Sequence, residues 1–439
     1  MAGVDRLFGT DGIRGRANTD LTVDMALDLA RAAGESMDGP VVVGRDTRRS
    51  GPMFTTALHA GFSSVGVDTV DVGVLPVGGV SRLLRQLDAP LAVMVSASHN
   101  PAHDNGIKFI GPTGGKLNDE QEAVIETRYR RGAPWKHPDG ALIGIRTKMP
   151  DAVDRYVENL ARNAEYSLRG LEFVLDCANG AAFQAAPQLF DRLGAAVEVH
   201  AATPDGININ AGCGATEPGY VAKYVNGRVG LAFDGDADRL IAVDEDGVTA
   251  NGDVLMAIFA KHMKDSGDLR NNVVVSTVMA NLGFRRSMEA LGISVEETAV
   301  GDRYVYEGMR RVDAALGGEQ SGHIIFYRGT TGDGLRTAVR LAEVMAATGM
   351  PLTELREIIT EYPQVLHNIK VVDKSKLAGS GEIWGAVEDA ERALGDDGRI
   401  LVRASGTEPL VRVMVEATTE TIAEDVASSI GDVVANSLR

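Results

Sequence analysis

LAVMVSASHNP, Leu91 to Pro101, passes from five apolar residues into a loop of small and polar ones. The apolar run from Leu91 to Val95 predicts a buried strand, and loops at strand ends are where α/β proteins place their chemistry. Ser98 is therefore a candidate nucleophile, with NGIK, Asn105 to Lys108, close behind. Taken alone, the hexapeptide SASHNP is better explained as an Asx or Ser/Thr turn before a proline. Three further polar motifs change that balance: DGDADR from Asp234, GGEQSGH from Gly317 and RASGTEP from Arg403.

Outward from this stretch the chain reads as alternating strands and helices. Thr22 caps a predicted helix through Met25, Leu29 and Ala33 to Gly34; Val41 to Gly44 is a strand; Pro52 opens a helix to about Val65; Val67 to Val72 is strand again. FVLDCANGAA from Phe173 and VVVSTVMANLGF from Val273 each repeat the passage from strand to small-residue helix, a weak internal repeat. The 439 residues suggest about three large domains at roughly 150 residues each. The expected fold class is α/β: three similar mixed α/β domains in series and a smaller C-terminal α+β domain, around a central cleft. The boundaries fall after 150, where KMPDA breaks the pattern, after 250, where Asn251 starts a new helix, and after 364. In the tail, a strand to Val372, a helix from Glu382 to Leu394, two strands around Ser405 and a helix from Thr421 are expected.

Composition narrows the partners. A net charge of −17 argues against nucleic-acid and anionic-membrane binding, which need clustered Lys and Arg. Cys177 and Cys213 form neither a disulfide framework nor a zinc spacing, and the N-terminus lacks the apolar core of a secretory signal. A cytoplasmic protein, monomer or homodimer, is expected.

The motifs carry the chemistry. In FGTDGIRG, Phe8 to Gly15, three glycines accompany one cation, Arg14; GRDTR, Gly44 to Arg48, reads as a structural salt-bridge loop. GPTGGK at Gly111 misses the Walker spacing and reads as a glycine turn. In DGDADR, Asp234, Asp236 and Asp238 lie between two apolar runs. Fully extended they would stand about 6.6 Å apart, so the loop must curl for them to share a cation, and Gly235 and Ala237 permit it. Three carboxylates without His or Cys suit a hard ion, most simply Mg²⁺. A calcium loop is the weaker alternative, because Arg239 stands where an EF-hand needs Gly. GGEQSGH groups Glu319, Gln320, Ser321 and His323 on a glycine loop suited to sugar hydroxyls, although His323 alone could be structural. RASGTEPLVRV is an anion cradle by composition, with Arg403, Ser405, Thr407 and Arg412 as donors and Gly406 exposing backbone N–H groups.

In this order and across the whole chain, the four motifs resemble the α-D-phosphohexomutase superfamily, and most its bacterial phosphoglucosamine mutase branch. The resemblance implies a phosphorylated Ser98 that also touches Mg²⁺, with Asp234, Asp236 and Asp238 as the metal ligands. It implies Lys108, His323 and Arg14 as acid/base or charge-stabilising groups, and Arg239, Glu319, Gln320 and Ser321 as sugar-side contacts. Arg403, Ser405, Gly406, Thr407 and Arg412 would hold phosphate. The implied reaction interconverts glucosamine 6-phosphate and glucosamine 1-phosphate, primed by glucosamine 1,6-bisphosphate or another hexose bisphosphate. Ala237 replaces the branch's usual Gly, which leaves phosphomannomutase or phosphoglucomutase activity as an alternative. A metal-dependent sugar phosphatase and a non-catalytic phosphosugar-binding protein are the readings from other classes.

Overall fold

The computed structural model describes residues 6–9, 11–35, 37–405 and 409–438. They form two compact units: the chain through Met279 with Ser294–Glu357, and Ala280–Ile293 with the segment from Ile358 onward.

The first unit carries three sheets. The first has strands β1 (Ile13–Arg16), β2 (Val41–Arg45), β3 (Thr69–Val74), β4 (Leu91–Val95), β5 (Asp104–Ile110) and β6 (Arg146–Lys148), in the order β1-β5-β4-β2-β3-β6. The second has β7 (Glu172–Asp176), β8 (Ala196–His200), β9 (Val229–Phe233), β10 (Leu240–Val243) and β11 (Thr249–Ala250), in the order β11-β10-β9-β7-β8. The third has β12 (Val273–Thr277), β13 (Ser294–Thr298), β14 (Leu316–Gly318) and β15 (Ile324–Phe326), in the order β13-β12-β14-β15.

A single topology recurs in all three. Two parallel strands joined through a helix are flanked by a third parallel strand, and the chain then turns back into an antiparallel neighbour: β4 into β5, β9 into β10, β14 into β15. This is the physical content of the repeat legible in FVLDCANGAA and VVVSTVMANLGF. The central strands are buried throughout and largely apolar, with Ser276 and Thr277 closing β12, as suits strands covered on both faces. Helices Val23–Gly34 and Gly51–Ser64 cover the first sheet, packing Leu29, Phe54, Leu58 and Phe62 against Val41, Val43 and Val93.

Local signals set most boundaries. The Thr22 hydroxyl accepts from Met25 N at 3.2 Å, and the Asn251 side chain caps Gly252–Ser266. The strand expected from Val67 starts instead at Thr69, because Gly66 at φ +86° and the Val67 N to Phe62 O bond first complete the helix end. It runs on to Val74 over an irregular register opposite Val43 and Gly44. Arg146–Lys148, exposed throughout, adds an edge strand that no hydrophobic pattern announced.

In the second unit, β16 (Gln364–Lys370), β17 (Gly398–Ala404) and β18 (Leu410–Ala417) form an antiparallel sheet in the order β16-β18-β17. The first of these ends two residues before the expected Val372. Helix Glu420–Ser437 lays Ala423, Ala427, Ile430 and Val434 on the sheet at helical spacing, and starts one residue early because the Thr419 hydroxyl caps it. Helix Leu282–Ala290, which follows β12 in the chain, belongs to this unit. The Leu282 amide donates to Glu416 Oε2 at 2.9 Å, and a Cβ on Gly283 would stand 2.0 Å from the Thr360 carbonyl oxygen. No helix among the described residues is long and apolar enough to cross a membrane.

Candidate active site

The three turns at which a parallel strand hands over to its antiparallel neighbour carry the three motifs: SASHNP between β4 and β5, DGDADR between β9 and β10, GEQSGH between β14 and β15. The fold thus presents equivalent corners of three similar sheets to one place, within the first unit.

Ser98 is buried and sits at φ +51°, a conformation rare for residues with a side chain. Several groups hold it there. Its amide donates to Ser96 Oγ at 2.9 Å, and its carbonyl accepts from Arg48 Nη2 and Asn210 Nδ2, each at 2.9 Å. Arg48, wholly buried, pairs with Asp46 at 2.9 Å and also donates to the carbonyls of Asn100, Pro101 and Asp104. GRDTR is indeed a salt-bridge loop, and what it braces is the turn that carries Ser98. The Ser98 hydroxyl donates to Asp234 Oδ2 at 2.6 Å and lies 3.4 Å from His99 Nδ1. Burial, then Arg239 and Arg14, pull the His99 imidazole down to about 4, so it is neutral at pH 7.

DGDADR curls as the carboxylates require, with Ala237 at φ +58°, and Asp234, Asp236 and Asp238 bring ligand oxygens within 4.8 Å of one another. Gly235 has no room for a side chain: a Cβ would stand 2.4 Å from the Ser98 carbonyl oxygen. Burial first, then Asp238 and Asp236, push the Asp234 carboxyl well above the ordinary range. Burial pushes Asp238 the same way, but His323, Lys108 and Arg239 outweigh it and hold that group well below the ordinary range. Three clustered carboxylates of this kind call for a cation. Asp236 Oδ1 and Asp238 Oδ1 are buried without a hydrogen-bond partner, so oxygens remain for one. The donor set is hard and all oxygen, and it fits Mg²⁺.

Cations surround the triad. Lys108 Nζ lies 2.8 Å from Asp236, 3.0 Å from Asp11 and 3.8 Å from Asp238. Arg239 lies 3.7 Å from Asp238, and its amide donates to Asp234 Oδ1 at 3.2 Å. Arg14 pairs with Asp11 and reaches Asn100 Oδ1 at 3.5 Å; burial lowers its guanidinium from the usual value. Asp11 and Lys116 were not singled out from the sequence. Asp11 joins Lys108, Arg14 and Lys116, and Lys116 bridges on to Asp302 at 2.7 Å. The signal was a charged residue inside each glycine-rich turn, FGTDG and GPTGGK. Asn210 offered no such signal.

His323 is buried between two carboxylates, with Nδ1 at 3.6 Å from Asp238 and Nε2 at 3.6 Å from Asp302. Nε2 accepts the Gly332 N–H at 2.8 Å, which requires a lone pair there and leaves Nδ1 to carry the proton toward Asp238. Nearby acids raise its pKa against the effect of burial, but the Gly332 bond fixes the neutral tautomer in this geometry. Glu319 Oε1 accepts from Gly301 N at 3.0 Å, and its charge acts on Arg239. Gln320 holds the turn through its carbonyl, which accepts from Gly252 N, and Ser321 is exposed beside it. In the tail, Arg403 and Arg412 face each other in register across β17 and β18, and Lys374 donates to the Ser405 carbonyl at 2.6 Å. Burial, then Arg412, lower the Arg403 guanidinium from its usual value. Gly406 and Thr407 lie outside the described residues.

Residues 5–134, 154–247 and 251–362 match the three alpha/beta/alpha domains of phosphoglucomutase/phosphomannomutase, and residues 366–433 its C-terminal domain. The chain belongs to the phosphoglucomutase/phosphomannomutase family. It is thus a phosphohexomutase-type enzyme. Full-length relatives include the phosphoglucosamine mutase of Rhodococcus opacus, 49% identical over 98% of this chain and 99% of its own. That of Desulforudis audaxviator is 49% identical over 98% and 97%. A family protein of Burkholderia thailandensis matches in structure with a TM-score of 0.81 at 26% identity, over 98% of this chain and 97% of its own. The N-acetylphosphoglucosamine mutase of Aspergillus fumigatus, solved with GlcNAc-6P and magnesium, shares the fold with a TM-score of 0.71 at 18% identity, over 99% and 96%.

Proposed function

We propose that this enzyme interconverts glucosamine 6-phosphate and glucosamine 1-phosphate through a phosphoserine at Ser98 and a hexose bisphosphate. The Ser98 hydroxyl carries the mechanism: it is buried, braced in a strained turn and 2.6 Å from the first carboxylate of an acidic triad. The full-length relatives named phosphoglucosamine mutase support the choice of sugar. In this reading the divisions after 150, 250 and 364 give each motif its own domain.

Asp234, Asp236 and Asp238 would hold Mg²⁺ beside Ser98, and the ion, when bound, would supply positive charge to phosphoryl oxygens. Lys108 and Arg14 approach from the first sheet and stabilise charge on the group in transfer. The bond from phosphorus to Ser98 Oγ breaks as one forms to the free sugar hydroxyl, whose proton is released to the cluster around Lys108. The bisphosphate then turns, and its other phosphate returns to Ser98, which restores the enzyme. His323, held by Gly332, keeps Asp238 in place. Glu319, Gln320, Ser321 and Arg239 serve the sugar, and the tail arginines Arg403 and Arg412 serve a phosphate. Because water competes for the phosphoryl group, the site must exclude it during transfer.

The test is isomer formed against inorganic phosphate released, from glucosamine 6-phosphate with a bisphosphate primer, run beside glucose and mannose phosphates. Isomerisation fastest with the amino sugar and absent in Ser98→Ala is expected. Phosphate release without isomer would make the protein a phosphatase, and a preference for mannose or glucose phosphate would transfer it to another branch. Ala237 makes that second comparison necessary, since its φ of +58° is one that Gly would adopt without strain.

A further inference from the structure

Five arginines line a cavity of about 510 Å³ in the first unit: Arg82 and Arg85 on helix Val77–Gln86, Arg328 after β15, Arg336 and Arg340 on helix Gly334–Thr348. Three carboxylates share the lining, and they are already engaged. Asp333 caps the second helix, accepts the Tyr156 hydroxyl at 2.6 Å and pairs with Arg82 at 3.3 Å. Glu165 and Glu343 both pair with Arg340, at 3.0 and 2.9 Å.

Arg85, Arg328 and Arg336 make no ion pair with any described residue. Arg85 and Arg336 spend one N–H each on the carbonyls of Arg328 and Tyr327, and Arg328 and Arg336 stack on Tyr327 and Phe326. Burial, then Arg82, pull the Arg336 guanidinium down to about 10, with Arg340 and Arg85 adding to the effect. The Thr330 hydroxyl, also in the lining, is buried without a partner. In a chain of net charge −17, a lining of five arginines against three carboxylates around an open volume is stabilised by an anion. None of the lining residues belongs to the group around Ser98. The cavity nonetheless adjoins that group: Val77 N, at the start of the first helix, donates to the Asp236 carbonyl, and Gly334 N, at the start of the second, to that of Ala237.

We propose that this cavity binds a small metabolite carrying two or more phosphate groups, at a site separate from the phosphotransfer site. Three guanidiniums without carboxylate partners, drawn from two helices and a loop, offer more forked donors than one phosphate can use. The volume falls within the range of metabolite pockets.

Calorimetric titration of the full chain with pyrophosphate in chelator-containing buffer tests this. Arg85→Gln/Arg328→Gln should weaken one class of binding by at least about tenfold, while Arg403→Ala retains it. Should the double variant not fold, Arg85→Gln alone, at an exposed helix position, is read by the same criterion. Adenosine diphosphate and glucose 1,6-bisphosphate, titrated in parallel, tell a nucleotide from a sugar bisphosphate as the source of the phosphates. Wild-type protein that binds none of the three probes overturns the proposal. So does binding that the glutamine variants leave unchanged, or that only Arg403→Ala removes.

Discussion

Ser98 holds a left-handed backbone that costs a residue with a side chain about 1 to 2 kcal/mol, and Arg48, Asn210 and Ser96 together impose it. That Ser98, Lys108 and the aspartates are candidates for chemistry was legible, because a nucleophile, a cation and a hard-ligand set are defined by residue type. Their supports were not: Asp11 and Asn210 are ordinary polar residues until distant segments meet them. His59 makes a separate point at the same scale. It is buried, with Nδ1 2.8 Å from Thr69 Oγ1 and Nε2 lacking a partner, and burial, then Arg146, lower it to about 4. Between about pH 6.5 and 4 the unfolded chain therefore binds more protons than the folded one, and stability falls as pH falls through that window. At pH 5 the loss relative to pH 7 should be about 2 kcal/mol, and His59→Gln should remove it. Urea unfolding at the two pH values measures both, and an equal pH dependence in the variant would exclude His59 as the source.

Among elements, the turns between parallel and antiparallel strands carry the three motifs of the candidate site, and their tolerances are tight. Gly235 passes so close to the Ser98 carbonyl that Gly235→Ala must displace one loop from the other, a Cβ also meeting Ile209 at 2.9 Å. Misplacement of a reacting group by about 1 Å costs roughly a hundredfold in rate. Turnover in Gly235→Ala should therefore drop by about that factor, with Mg²⁺ in excess, while far-ultraviolet circular dichroism is unchanged. Wild-type turnover would show that the two loops move independently. The strand before SASHNP and those on both sides of DGDADR were legible from their apolar runs; β5, which opens on Asp-Asn-Gly, was not. The edge strand Arg146–Lys148 was not, since its side chains are exposed and only backbone pairing with β3 defines it.

For the whole molecule, an ion bound at the triad would act as a brace on the first unit. Mg²⁺ that binds only the folded triad stabilises that unit by about 3 kcal/mol at a hundred times its Kd. The first unfolding transition should rise on adding Mg²⁺, fall back with chelator, and stay put in Asp236→Asn; a rise in that variant equal to wild type would place the ion elsewhere. The tail is predicted to act through binding. Arg403 and Arg412 sit in register on neighbouring strands, two guanidiniums side by side next to the turn. Arg403→Ala should raise KM by about tenfold with a smaller loss of kcat, because a contact present in both ground and transition states is mostly uniform binding. Steady-state kinetics at fixed primer checks this, and an unchanged KM would remove Arg403 from the substrate's contacts. By itself the sequence determined most of the elements, some of their caps and the four motifs in order, because apolar periodicity and capping act over a few residues. Only the tertiary structure decided which charge meets which. Ser98 finds Asp234 across 136 residues and Lys108 finds Asp236 across 128, and packing sets Leu282–Ala290 beside the tail. Such contacts depend on three sheets closing on one another, and no local pattern of residues encodes that.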